Sequence, residues 1–262
     1  LFTIEAISND VWLYDFDRGA LERVTFEDRN LAPIWRTDDE ITYSVVGAEM
    51  LSPRIFQLNL DDRGARRQLL ENQGIGMFPG SWHPNGDLLS YFHWNQGTQL
   101  DLKIAGEGGD GEPQVYRQTR FNEFGPVFSP DGNWIAYASD ESGQAEVYLQ
   151  AYPDGGKKWQ VSVGGGSAPV WNPDGRELFY TDGPRMMVAS LRLGASVSIE
   201  RPRQLFKGGF APANLTWFAN YDADVQGRGF LMVERETPPH IPEVRVVQDW
   251  LPEVERRLDA AE

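Results

Sequence analysis

Three observations in this sequence predict an all-β fold, a six-bladed β-propeller of four-stranded antiparallel blades with a short C-terminal helix. One apolar–turn–apolar unit recurs along the chain, Gly/Pro/Asp clusters bound short apolar runs, and helical periodicity is absent until the last dozen residues. The unit is clearest as GPVFSPDGNWIAYASD (125–140), with copies at APVWNPDGRELFYTD (168–182), PGSWHPNGDLLSYFHW (79–94) and APIWRTDDEITYSVV (32–46). A worn copy, NYDADVQGRGFLMVE, occupies 220–234. The aligned anchors Trp35, Trp82, Phe128, Trp171 and Ala223 stand about 43 to 52 residues apart, the period of a four-stranded blade.

Each unit reads as strand throughout. The first run is turned by Pro-Asp-Gly into WIAYAS (134–139); a polar loop leads to AEVYLQAY (145–152), and PDGGKK turns again into WQVSV (159–163). The N-terminus supplies only second, third and fourth strands: LFTIEA, DVWLYDF (10–16) and LERVTF (21–26). The expected divisions of this single domain are a partial first blade at 1–30 and further blades at 31–76, 77–122, 123–164, 165–212 and 213–250. VRVVQDW (244–250) adds a strand. In 251–262, Pro252 suits a first helical turn, and Leu251, Val254 and Leu258 share one face.

Composition bounds the function. Hydrophobic residues at 40% and aromatics at 12% of 262 residues support a packed core and exclude a disordered chain. With 24 basic and 39 acidic residues the net charge is −15, which repels nucleic-acid backbones and anionic membranes. The absence of cysteine excludes disulfides, thiolate metal sites and a cysteine nucleophile. No apolar run approaches the roughly 20 residues of a membrane span, and no basic-then-apolar leader is present. Because Leu1 already lies inside an apolar run, the chain is expected to be cut from something longer, with any address or anchor upstream.

The chemical candidates reduce to structural roles. Pro-Asp-Gly is turn chemistry: proline pre-sets φ, aspartate bonds its own backbone, and glycine takes positive φ. Its recurrence as Asp131-Gly132, Asp174-Gly175 and Asn85-Gly86 marks Asp131 as a turn former. DADVQG, with Asp222, Asp224, Gln226 and Gly227, mimics the start of a calcium loop. The twelfth position holds Val233 where a bidentate glutamate belongs, so neither calcium nor another cofactor is expected. The glycine clusters VGGGSAP (163–169) and GEGGDGEP (106–113) lack the Lys-Ser/Thr ending of a phosphate cradle. His83, His93 and His240 have no metal-ligand spacing, and no Gly-x-Ser-x-Gly elbow exists. No catalytic residue is assigned. Trp35, Trp82 and Trp171 share one repeat position and are expected to pack blade on blade, which leaves Trp94 and Trp217 freer to line a pocket.

In a propeller the fourth-to-first and second-to-third loops share one face, and the Pro-Asp-Gly turns share the other. Varied polar sequence concentrates on the first face, where specificity is expected to sit. Arg29, Asn30, Trp94, Asn122, Glu123 and Asn220 are the candidate ligand- or partner-binding residues there.

The pattern P-x-W/F-S-P-D-G-x-x-I/L-x-Y with a Val-Tyr third strand resembles the TolB-like, WD40-like family of six-bladed β-propellers over nearly all of the chain. The stretch ESGQAEVYLQAYPDGGKKWQVSVGGGSAPVWNPDGRELFY is similar to the propeller behind bacterial receptor-type serine/threonine kinases, as are RMMVASLRL and VRVVQDWLPEVE. Departures are Thr37-Asp38-Asp39-Glu40 in place of Pro-Asp-Gly, Asn85 for Asp, and Val225-Gln226-Gly227. No kinase signature lies within the chain. The resemblance implies a non-enzymatic sensor or interaction domain of a larger bacterial signalling protein, extracytoplasmic, with a protein, peptide or small-ligand partner. Two alternatives stay open: a lyase- or glycosidase-type enzyme with a channel active site, and the gating propeller of a prolyl-oligopeptidase-like peptidase.

Overall fold

Short strands bounded by glycine turns can satisfy their backbone only by pairing, and here they pair into six separate antiparallel sheets among the described residues. The structure is a computed structural model that describes residues 2–4, 9–26, 28–46, 53–62, 66–71, 76–95, 97–108, 112–194, 196–208, 219–223 and 229–232. The first sheet has three strands, β1 (Phe2–Ile4), β2 (Asp10–Asp15) and β3 (Ala20–Arg23). The second holds β4 (Arg29–Trp35), β5 (Glu40–Val46), β6 (Arg54–Asn59) and β7 (Arg66–Glu71) in sequence order. The third holds β8 (Met77–Trp82), β9 (Leu88–Asn95), β10 (Gln99–Gly106) and β11 (Gln114–Arg117). The fourth holds β12 (Glu123–Phe128), β13 (Trp134–Ser139), β14 (Glu146–Ala151) and β15 (Gly155–Gln160).

In the fifth sheet β16 (Ser167–Trp171) and β17 (Glu177–Asp182) lead to β18 (Arg185–Arg192), which pairs with both β19 (Ser198–Ile199) and β20 (Arg203–Lys207). The sixth shows β21 (Tyr221–Ala223) and β22 (Phe230–Met232). The expected strand at 244–250 and the expected helix at 251–262 lie outside the described residues. Among the described residues no helix is long and apolar enough to cross a membrane.

Sheets stack face to face, because each apolar core is assembled from two neighbours. Val11 and Val24 of the first sheet region meet Ile41, Tyr43 and Phe56 of the second. Trp134, Val147 and Leu149 of the fourth meet Trp171, Leu178 and Tyr180 of the fifth. The Ile-x-Tyr element of the repeat delivers Tyr43, Tyr91, Tyr137 and Tyr180, all buried, into these inter-sheet layers. The anchor residues bridge sheets as well: Trp171 Nε1 donates to the Val127 carbonyl of β12 at 3.2 Å, and Trp82 Nε1 to Thr42 Oγ1 of β5 at 2.9 Å. Trp35 is the exception. It is 41% exposed against 9% for Trp82 and 8% for Trp171, because the first sheet has no innermost strand among the described residues to cover it.

A bulge recurs in the innermost strands. Register shifts fall at Leu31/Ile34, Phe124/Val127 and Ser167/Val170, and the residues Ala32, Gly125 and Ala168 there take φ of 51°, 60° and 54°. Each precedes a proline, and the extra residue re-aims the strand toward the next sheet. The third sheet replaces this element with Pro79-Gly80. A Cβ on Gly80 would sit 2.0 Å from the Pro126 carbonyl oxygen, and that oxygen also accepts from Ser90 Oγ at 3.0 Å. The third and fourth sheets therefore interlock backbone to backbone.

The Pro-Asp-Gly turns are built as their chemistry requires. Gly132, Gly175 and Gly86 take φ of 73°, 71° and 80°, and their N–H groups donate back to Ser129, Asn172 and His83. Asp131 is occupied inside its own turn: its carboxylate accepts from Ser129 Oγ, from Asn133 N at 3.1 Å and from Asn133 Nδ2 at 3.0 Å. His83 packs edge-on against Phe128 and fills the space beside Gly132, a packing role.

Candidate functional site

The polar chemistry of the loop face begins with a device that the first and fourth sheets share at the start of the third strand. In the first sheet Thr25 Oγ1, from the end of the sheet, accepts from Val11 N at 2.9 Å and donates to Asp10 Oδ1 at 3.4 Å. In the fourth sheet Ser162 Oγ does the same between Val147 N (2.7 Å) and Glu146 Oε2. Glu146 Oε1 also accepts from Gly164 N and Gly165 N, each at 2.9 Å. The glycine cluster at 163–169 is thus an amide nest filled by the chain's own carboxylate.

The third sheet varies the pattern. Gln118 stands where Thr25 and Ser162 stand, and its Nε2 donates to Asp101 Oδ2 at 2.9 Å, beside Thr98 Oγ1. Thr119, one residue further on, donates to Glu123 Oε1 at the start of β12. Both acids are fully buried, and Asp101 Oδ1 and Glu123 Oε2 have no hydrogen-bond partner. His93 lies directly opposite Asp101 across the β9–β10 ladder and is also buried. Arg117 Nε stands 3.9 Å from Glu123 and its Nη2 is 3.6 Å from Glu141, which Lys158 also binds.

Burial dominates the electrostatics. It pushes the Glu123 carboxyl up to about 7, with Asp101 and Glu141 adding to the rise and Thr119 and Arg117 opposing it. Burial also holds the His93 imidazole below its ordinary range; Lys103 adds to that and Asp101 opposes it. The junction therefore holds a carboxyl that ionises well above the ordinary carboxylate range and a histidine that is neutral at pH 7.

The six expected site residues separate under this geometry. Asn122 and Glu123 come together at the third–fourth junction, where Asn122 N and Nδ2 donate to Asp140 at 2.9 and 2.6 Å. Trp94 is half-buried against the apolar core between the same two sheets. Arg29 is half-buried at the start of β4, and Asn30 beside it is buried, with Nδ2 donating to the Asn9 carbonyl at 3.3 Å. Asn220 is half-buried just before β21. Asp222 Oδ1 accepts from Ala223 N at 2.8 Å, while Asp224, Gln226 and Gly227 of the calcium-like stretch lie outside the described residues, as does Trp217.

The residues absent from the sequence reading are Asp101, Thr119, Arg117 and Glu141. Aligning Asp10, Asp101 and Glu146, with Thr25, Gln118 and Ser162, would have exposed the pairing of a buried acid with a polar side chain from the end of its own sheet. On the opposite face a cleft of about 880 Å³ lies between the turns of the fourth and fifth sheets, lined by Asp131, Asp174, Arg176, Glu177, Arg192 and Glu200 among others. Its charges are largely engaged: Glu200 pairs with Arg192 at 3.0 Å, and Glu177 accepts from Asn172 at 3.1 Å.

No family model matches the chain. A stretch of 72 residues is 39% identical to the Tol-Pal system protein TolB of Ruthia magnifica subsp. Calyptogena magnifica, covering 26% of this chain and 17% of that protein. Among solved structures, TolB from Acinetobacter baumannii superposes with a TM-score of 0.57 at 18% identity, over 74% of this chain and 49% of its own. An oligogalacturonate lyase from Vibrio parahaemolyticus also gives 0.57, at 11% identity, over 86% of this chain and 68% of its own. The chain thus spans about half the length of the TolB structure it matches. These likenesses establish an all-β, TolB-like propeller fold of antiparallel sheets.

Proposed function

We propose that the chain is a six-bladed, non-enzymatic propeller that binds a protein or peptide on its loop face, as the sensor or interaction domain of a larger extracytoplasmic bacterial signalling protein. The observation that carries this reading is the 39% identity over 72 residues to a TolB, a protein named for the Tol-Pal system. The lyase shares the scaffold at 11% identity, the level at which a propeller reports architecture and not chemistry. The loop face fits the role, because Asp101, Glu123 and His93 beneath it are buried and offer no open acid/base pair. Arg29, Trp94, Asn122 and Asn220 would touch the partner, and the buried Asn30 and Glu123 would position the loops above them. Six sheets are the six blades, 1–262 is one domain with a helix at 251–262, and no cofactor takes part. The kinase-type propeller ending is the reason for placing a signalling domain upstream.

The test is a selection of displayed peptides against the purified chain. Peptides are expected whose affinity falls tenfold or more in Arg29→Glu or Asn122→Ala and is unchanged in Asp131→Ala. Peptides that map only to the turn face, or release of unsaturated product from oligogalacturonate by the purified chain, would overturn the proposal.

A further inference from the structure

We propose that the turn-face cleft between the fourth and fifth sheets seats an arginine side chain of a basic protein partner, as the two preceding junctions seat a side chain of this chain itself. The inference is independent of what the loop face binds. Arg36, His83, Ser129 and Asn172 follow the anchor residues of the second to fifth sheets, and the N–H of each closes the same hairpin. At two junctions this residue reaches the turn glycine of the following sheet. Arg36 Nη1 donates to Glu40 at 3.1 Å, and Nη2 donates to the Gly86 carbonyl at 3.3 Å and to Glu107. Its guanidinium lies 4.8 Å from the centre of the Trp82 ring. His83 in turn fills the space beside Gly132.

The fourth sheet's Ser129 does not reach across. Its hydroxyl is spent inside its own turn, donating to Asp131 and accepting from Trp134 N at 3.0 Å. Where a Cβ on Gly175 would stand, the nearest atom is Pro130 Cδ, 3.9 Å away. The cleft of about 880 Å³ occupies this place, a volume typical of ligand pockets. Pro130, Leu191 and Leu193 give it apolar walls for an arginine's alkyl stem. The carboxylates of Asp131, Asp174, Glu177 and Glu200 outnumber the guanidinium groups of Arg176 and Arg192. Asp131 serves its own turn and Glu200 pairs with Arg192, which leaves Asp174 and Glu177 beside Gly175 to receive the guest. Asp174 accepts from Arg176 N at 2.9 Å; Glu177 accepts from Asn172 at 3.1 Å and stands 3.8 Å from Arg203. A carboxylate offers about four acceptor sites, so both retain capacity for a guanidinium fork. The net charge of −15 opposes a second copy of this chain as the guest and attracts a basic partner.

Amide NMR of the full chain titrated with acetyl-arginine amide tests the seat. Saturating shifts are expected at Gly175, Arg176 and Leu191. Acetyl-citrulline amide, the neutral counterpart, is expected to bind about tenfold more weakly. The double variant Asp174→Asn, Glu177→Gln is expected to weaken arginine binding by about the same factor. It keeps the turn intact, because each amide oxygen still accepts the bond its carboxylate accepted. Ser129→Arg supplies the side chain from within, as Arg36 does, and is expected to abolish binding. If Ser129→Arg does not fold, the double variant and the citrulline comparison decide the question. None of these residues lies on the loop face, so failure here leaves the loop-face reading standing. Shifts at those amides that do not saturate, equal binding of the citrulline probe, unchanged affinity in the double variant, or parent-like binding by a folded Ser129→Arg chain overturns the arginine seat.

Discussion

The third and fourth sheets each bury an acid at equivalent positions of the third strand and hold it differently. In the fourth, Ser162 closes on its own sheet, linking Val147 N to Glu146, and every oxygen of that carboxylate is occupied. In the third, Gln118 and Thr98 hold Asp101 by one oxygen only, the neighbouring Thr119 bonds Glu123 of the next sheet, and two buried oxygens are left over. The first arrangement secures a single blade. The second places a contact at the junction between blades, at the expense of polar satisfaction. The difference teaches that equivalent positions of a repeat can hold a buried acid to different degrees, and the less satisfied copy is where polar chemistry remains to be used.

The junction itself can be broken most directly at Gly80. Gly80→Ala places a methyl group 2.0 Å from the Pro126 oxygen, so the two backbones must separate, with an expected loss of about 3 kcal/mol or more in urea unfolding. Wild-type stability in this variant would show that the sheets do not interlock there. The two hydroxyls come next. Ser162→Ala strands Val147 N and Glu146 Oε2 and is expected to lose about 2 kcal/mol, whereas Thr119→Ala is expected to lose about 1 kcal/mol. Equal losses in the same unfolding assay would erase the contrast between the sheets. The smallest effect is on the turn face. Asp131 is exposed and bonded only within residues 129–133, so Asp131→Ala is expected to lower stability by about 1 kcal/mol. Peptide affinity measured by calorimetry should stay unchanged, and a large affinity loss in the folded variant would move the binding site to that face.

Particular residues show how far the sequence could be read. The turns at Asp131-Gly132 and Asp174-Gly175 were legible because their donors, acceptors and positive φ lie within a few consecutive residues. The shared packing position of Trp82 and Trp171 was legible from period alone. The exposure of Trp35 was not, since it depends on what the first sheet lacks beside it. Of the six candidate site residues, Glu123 and Asn122 were picked for their place in a polar loop. Their actual surroundings, Thr119, Arg117, Asp101 and Asp140, come from three different strands or loops and share no local motif.

The sequence by itself determined the blade unit, its turns and its buried Ile-x-Tyr strand, because these rest on side-chain alternation and φ preferences that act over a few residues. Only the tertiary structure decided that the glycine cluster is capped by Glu146, that Gly80 lies on Pro126, and that Asp101 and Glu123 end at one junction with two oxygens unmatched. Such pairings depend on bulge register and on how closely one sheet lies on the next. Those distances are fixed only when the whole stack packs.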